Sequence, residues 1–176
     1  MRPHDTPGMP AKDASDASLQ RPLSLRRILL ATDLSPATDL ATEWAFELAR
    51  RNDASLLVVS VIDPDDLVLP DGGFSARVDQ VRDRREAVAQ LLVGRGRAID
   101  VKVDFLVWTG APGESIVAAA EAEAVDMVLV GAHTRGRLSR LVMGSVSEYV
   151  ARHATCPVLI VRELPETHGS VTVGAA

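Results

Sequence analysis

Met127-Val-Leu-Val-Gly131-Ala-His-Thr134-Arg-Gly-Arg-Leu-Ser-Arg-Leu-Val-Met-Gly144-Ser145-Val-Ser-Glu148 is the stretch whose reading decides the fold. A short apolar run breaks at a glycine, a basic loop follows, and a second glycine opens a helix. An α/β protein builds an anion site in this order. The strand brings the chain to the sheet edge, glycine admits a ligand close to the backbone, and unpaired helix N–H groups face the charge. Ser145 and Glu148 have the spacing of a capping box, which predicts a helix start with Ser145 as its N-cap.

Strand and helix patterns alternate outward from this stretch. Arg27 to Asp33 is a buried strand, and Ser35-Pro36 supplies an N-cap and an N1 proline for a helix carrying Ala37, Ala41, Trp44, Ala45 and Leu48 at helical spacing. Trp44 and Trp108 are expected in or beside the core. Ser55 to Asp63 is the second strand. An acidic loop runs from Pro64 to about Ser75, and a helix marked by Val78, Val81, Val88, Leu91 and Leu92 ends near Gly94 to Gly96. Val101 to Val107 is the third strand, and Pro112 opens a helix that runs to Ala124. Asp126 to Gly131 is the fourth strand, Ser145 to about His153 the fourth helix, and Pro157 to Val161 the fifth strand.

This alternation predicts an α/β fold of three layers, a doubly wound, Rossmann-like, five-stranded parallel sheet with right-handed crossovers. The strand order 3-2-1-4-5 is taken from the fold class and not from periodicity. It places the reversal of winding between strands one and four, so that Asp33 and Gly131 face one crevice.

At 176 residues the chain suits one domain, with extensions at 1–24 and 164–176 flanking a domain at 25–163. Both extensions lack apolar periodicity and are expected to be flexible. Only 3% of residues are aromatic against 47% hydrophobic, so the core must be aliphatic, as suits helices on a parallel sheet. A net charge of −5 argues against a nucleic-acid-binding surface. There is no signal-peptide pattern and no membrane-spanning run, so a cytoplasmic location away from membranes is expected. The single cysteine, Cys156, excludes an internal disulfide and reads as a small buried hydrophobe. His153 is expected to interact with the end of its own helix.

Ile28-Leu-Leu-Ala-Thr-Asp33-Leu-Ser, Val59-Ser-Val-Ile-Asp63, Gly131 through Gly144-Ser145-Val146, and Cys156-Pro-Val-Leu-Ile-Val-Arg162 together resemble the universal stress protein domain, in order and spacing, over about residues 25 to 163. Nucleotide-binding members of that family carry Gly-x-x-Gly, nine residues, then Gly-Ser or Gly-Thr. Here Gly131-Ala-His-Thr134 precedes nine residues and then Gly144-Ser145, so Thr134 replaces the second glycine. The resemblance implies that Asp33 and the backbone of Val61 contact the adenine–ribose end of ATP. Gly131, Gly144, Ser145 and Val146 would hold ribose and phosphates, with Mg²⁺ alongside. Ala31, Thr32, Val130 and Thr134 belong to the same expected site. A β-branched residue at position 134 adds bulk, and strain if φ is positive there, which Gly136 could relieve.

Arg135, Arg137 and Arg140 read equally as a solvated loop or as phosphate contacts. Asp33 could simply cap its own turn. The patterns Gly-x-Ser-x-Gly, His-Glu-x-x-His and the P-loop pattern are all missing from the sequence, so an enzyme is not expected and any ATP hydrolysis should be slow. The leading expectation is a regulatory stress-response protein, homodimeric through the fifth strand, with ATP as a conformational ligand and unidentified protein partners. The alternative is an interaction or dimerisation module of the same fold that has lost the nucleotide.

Overall fold

The computed structural model describes residues 24–35, 39–67, 74–131 and 145–162. The extensions expected at both ends, the basic loop with Thr134, and Gly144 lie outside these residues. The elements in chain order are β1 (Arg27–Ala31), α1 (Asp39–Asn52), β2 (Ser55–Ile62), α2 (Phe74–Ala98), β3 (Val103–Thr109), α3 (Pro112–Ala122), β4 (Met127–Gly131), α4 (Ser145–His153) and β5 (Val158–Val161). The five strands form one sheet in the order β3-β2-β1-β4-β5, with every neighbouring pair parallel. The expected fold class and strand order are both found.

Alternating side chains on each strand feed two cores. Ile28, Leu30, Leu56, Val58 and Leu129 are buried with Ala41, Ala45, Phe46 and Ala49 of α1, and Leu92 and Val93 of α2 pack against them. Leu29, Ala31, Leu57, Val59, Val128 and Val130 point the other way, onto Ile116, Ala119 and Ala120 of α3 and Val150 of α4. Each such Val, Leu or Ile contributes about 1.5–3 kcal/mol when fully buried. The strands are aliphatic on both faces because both faces are covered.

At the N-terminal edge of the sheet, Asp126 fixes the register. Its Oδ2 accepts from the backbone N–H groups of Arg26 (2.7 Å) and Arg27 (2.8 Å), and its own N–H donates to the Arg27 carbonyl (2.8 Å). Arg27 also pairs with Glu123. On the outer side of the first core, Arg95 of α2 grips Glu43 of α1 through two 2.6 Å hydrogen bonds and lies over the Phe46 ring. That hydrogen bonding holds the Glu43 carboxyl below its usual range.

Several element boundaries differ from those read in the sequence. Strand β3 starts and ends two residues later than Val101–Val107. Val101 instead closes the end of α2, donating its N–H to the Gly96 carbonyl after Asp100 turns through φ 59°. The strand continues to Thr109 because β2 offers partners as far as Ile62. A shift of two keeps every side chain on its face.

Helix α2 runs through Gly94 and Gly96 instead of ending at them, and it begins at Phe74, inside the expected loop. Strand β1 stops at Ala31, although the Thr32 N–H still reaches the Val59 carbonyl. Strand β2 stops at Ile62, and Asp63 caps a short 3-10 turn at Pro64–Asp66. Helix α3 ends at Ala122, and Ala124 turns through φ 47°. The described part of α1 opens at Asp39, and the Pro36 expected at its first turn lies outside the described residues.

The described part of α4 opens at Ser145, and the Gly144 that precedes it lies outside the described residues; Glu148 pairs with Arg152 at 2.7 Å. Trp44 is half exposed, because the buried stripe of α1 is Ala41, Ala45, Phe46 and Ala49, one helical step away. Trp108 packs against the second core as expected; Cys156 packs there too but is only half-buried, and that burial is the chief cause that pushes its thiol above its ordinary pKa. His153 stacks on Tyr149, and its Nδ1 lies 2.8 Å from the Tyr149 carbonyl, within the last turn of α4.

Two helical glycines give a test of this packing with opposite signs. A Cβ at Gly113 would stand 2.8 Å from two ring carbons of Tyr149 where α3 meets α4, whereas one at Gly94 meets nothing within 4 Å. Alanine gains up to about 1 kcal/mol of helix propensity over glycine. Overpacking against a held ring costs about 1–3 kcal/mol. Chemical denaturation should therefore find Gly94→Ala more stable than wild type by up to about 1 kcal/mol, and Gly113→Ala less stable by about 1 kcal/mol.

Candidate functional site

The chain leaves β1 for α1 on one face of the sheet and leaves β4 for α4 on the other. The C-terminal ends of these adjacent strands therefore diverge, and a crevice of about 620 Å³ opens between them. That volume lies within the range of small-molecule sites, and the position is the one where doubly wound sheets bind ligands.

The crevice is built from strand ends and helix starts. Ala31, Val59 and Val130 supply an apolar floor, and Gly131 ends β4 without a Cβ at the opening. Thr32 and Asp33 come from the turn after β1. In that turn Thr32 Oγ1 accepts the Leu34 N–H at 2.9 Å, and Asp33 Oδ1 accepts the Ser35 N–H at 3.0 Å. Leu34 between them holds φ 58°, a left-handed conformation that non-glycine residues rarely adopt and that concentrates at functional sites. Asp33 thus both caps its own turn and lines the crevice.

The opposite end is the first turn of α4. Ser145, Val146 and Ser147 line the crevice. The N–H groups of a first helical turn have no intrahelical partner, and together with the helix dipole they favour an anion. The carboxylates Asp33, Asp63 and Asp66 lie toward the β1 and β2 side. One end of the crevice therefore suits phosphate, and the other suits hydroxyl and amino donors.

All the expected site residues that the structure describes line this one crevice: Ala31, Thr32, Asp33, Val61, Val130, Gly131, Ser145 and Val146. Thr134 and Gly144 lie outside the described residues, as do His133 and the arginines of the basic loop. The sequence reading missed Asp66, Ile116, Ser147 and, above all, Arg85. Arg85 Nη1 donates to Ser60 Oγ (3.1 Å) and to the Val61 carbonyl (2.5 Å), carrying a positive charge to the wall formed by β2. Its neighbour one turn earlier, Arg82, donates to the Val107 carbonyl (2.7 Å) and to Thr109 Oγ1 (3.1 Å), and so ties α2 to the end of β3. The run Arg82-Asp-Arg-Arg85 reads locally as a solvated helix face, and no signal in it marks Arg85 for the crevice.

Comparison with known proteins matches the universal stress protein family over residues 24–162. A universal stress protein of Mycolicibacterium smegmatis is 37% identical over 137 residues, which are 77% of this chain and 45% of that protein. The chain thus spans less than half the length of that relative. One from Methanocaldococcus jannaschii is 27% identical over 140 residues, 78% of this chain and 82% of that protein.

Among solved structures, the universal stress protein of Lactobacillus plantarum superposes with a TM-score of 0.64 at 22% identity, covering 78% of this chain and 98% of that one. Archaeoglobus fulgidus universal stress protein in complex with dAMP gives 0.57 at 21% identity, covering 78% and 98%. An Arabidopsis thaliana family member with AMP bound gives 0.56 at 19% identity, covering 83% and 97%. With a family match over residues 24–162, a sheet ordered β3-β2-β1-β4-β5 and a crevice at its reversal, the chain belongs to the universal stress protein family.

Proposed function

We propose that this protein binds an adenine nucleotide, ATP with Mg²⁺, in the crevice between β1 and β4, as a regulatory ligand and not as a substrate. The observation that carries this reading is the convergence of Asp33, Gly131 and the first turn of α4 on one cavity. Family structures in complex with dAMP and with AMP support it. In this reading the base lies by Val61, the ribose by Asp33, and the phosphates by Ser145 and Val146. Among the described residues no group of three or more Asp, Glu, His or Cys side chains is placed to hold a metal. Mg²⁺ would then arrive on the phosphates and keep its waters, as this cation commonly does. Binding would bias the turn after β1 and the start of α4, which the ligand bridges, and turnover would be slow.

A second reading keeps the fold and drops the nucleotide, leaving an interaction module. The observation in its favour is Thr134, which stands where nucleotide-binding members carry glycine. Calorimetric titration with Mg·ATP separates the two readings. Wild type should bind, Asp33→Ala should lose about tenfold, the value of a hydrogen bond to a charged group, and Thr134→Gly should tighten binding by roughly 1 kcal/mol if strain is relieved. Absence of heat and of any thermal shift at millimolar ATP would favour the interaction module.

Homodimerisation belongs to the same proposal. Strand β5 is the last strand of the sheet, and its residues Val158–Val161 are all apolar, with Leu159 exposed. An uncharged edge of this kind invites pairing with another strand, and a two-fold axis would join two such edges in an isologous contact. No described helix is long and apolar enough to cross a membrane. Light scattering at micromolar concentration should give twice the 18.8 kDa chain mass. A monomer persisting at high concentration, with and without ATP, would remove the dimer from the proposal.

A further inference from the structure

We propose that residues 19–23 of the N-terminal extension lie in an apolar groove between α1 and β5, as an intramolecular cover over Trp44 and Leu159. The inference does not depend on the nucleotide reading.

The groove follows from unequal cover on the two faces of β5. On one face, Val158 and Ile160 pack against the second core, to which Val150 of α4 belongs. On the other, Leu159 stands in register beside Leu129 and shares its face. Leu129 is completely buried in the first core, whereas Leu159 is 36% exposed. The helical cover on this face therefore stops at β4.

Helix α1 forms the wall of the groove. Arg95 of α2 bonds to Glu43 and lies over Phe46, so these two residues mark the flank of α1 that faces α2. With about 3.6 residues per turn, Trp44 falls on the other flank, toward β4 and β5, and Leu40 and Leu48 lie one turn to either side. Trp44 is half exposed, and Leu40 and Leu48 are only partly buried. On the floor, Met127 and Val161 are partly buried against the first core. Together with Leu159 these side chains make one apolar groove, and exposed apolar surface of this kind marks an interaction site.

The way the chain enters the sheet points to the occupant. Asp126, the residue before β4, holds the N–H groups of both Arg26 and Arg27. Two successive N–H groups on one side break the strand alternation, and Leu25 turns onto the first core, where Met127 also packs. The chain therefore reaches β1 at the foot of the groove. Leu159 lies two residues up the strand and one strand across from Met127, roughly 7 Å and 5 Å. The six residues back from Leu25 to Leu19 reach up to about 20 Å when extended. Leu23 thus comes within reach of Leu48, and Leu19 within reach of Trp44 and Leu159. Pro22 between the two leucines turns its preceding residue away from helix and toward extended backbone. At the other end of the groove, the same length of chain after Arg162 supplies one aliphatic side chain, Leu164, between two glutamates. The cover lies on the face of the sheet, so the backbone edge of β5 stays open to pairing. It withdraws the groove from other partners.

Hydroxyl-radical footprinting of the full chain, read by mass spectrometry, tests the contact, with Trp108 as the internal reference. The samples are wild type, Leu19→Asp combined with Leu23→Asp, the milder Leu19→Ser combined with Leu23→Ser, and Leu164→Asp. In the aspartate double variant, oxidation of Trp44 and Leu159 should rise by roughly twofold or more, in proportion to the apolar surface returned to water. The serine double variant should give a smaller rise at the same two residues, and Leu164→Asp should give none. Equal oxidation in wild type and both double variants would overturn the proposal. Protection removed by Leu164→Asp would overturn it by assigning the groove to the C-terminal segment. Protection that grows with protein concentration and ignores every variant would overturn it by assigning the groove to a second copy. A rise at Trp108 as large as that at Trp44, in both double variants, would mark a general loosening and overturn it as well.

Discussion

Strand β1 is hydrogen-bonded on both sides, to β2 and to β4, and the functional geometry depends on that double pairing. A strand so placed has no edge, and each of its faces meets a helical layer, so Ile28 to Leu30 are completely buried. Asp126 sets where β4 begins by binding the N–H groups of Arg26 and Arg27. Once that end is fixed, the opposite ends of β1 and β4 are fixed too, at Ala31 and Gly131. The crevice lies where backbone register puts it, with side chains only lining it.

The turn after β1 is the least relaxed described part of this site. Two side-chain oxygens, from Thr32 and Asp33, hold the N–H groups of Leu34 and Ser35, and Leu34 sits at φ 58°. Left-handed backbone at a bulky residue costs of order 1–3 kcal/mol and persists only where surrounding contacts enforce it. Here the enforcing contacts are the two side-chain bonds and the packing of Leu34 against the first core. The result is a turn that brings Asp33 to the crevice wall in a defined pose, as a binding site on a rigid scaffold requires.

Helix α2 connects packing to chemistry on the other wall. Gly96 lets its last turn approach β3, where a Cβ would overlap the Val103 side chain and the Val101 carbonyl. Arg82 and Arg85 reach from the same helix to the ends of β3 and β2. The guanidinium at Val61 and the glycine close contact lie about three turns apart on one helix. Substitutions along α2 should be felt in the crevice, although their positions look like surface positions in sequence.

The sequence alone determined the α/β alternation, the two-faced aliphatic strands, the residues Asp33 and Gly131 at or just beyond strand ends, and Ser145 at the start of a helix, because each of these is written in a local pattern. Apolar runs bounded by polar or glycine residues mark buried parallel strands, and such strands end where ligands bind. Tertiary structure decided what local pattern leaves open. Trp44 is apolar yet half exposed, since the face of α1 turned to the sheet carries Ala45 and Phe46 instead. Val101 looks like strand and serves to close a helix, because the β2 partner sets the limits of β3. Gly94 and Gly96 look like a helix end, yet one is open and the other tightly packed, a difference made by Val101 and Val103 across from the helix end. Arg85 sits in a run of charges with no mark of its own, and only the docking of α2 on the sheet brings it to Val61. Local preferences act over a few residues, whereas these placements depend on contacts between segments distant in sequence, which exist only once the sheet is assembled.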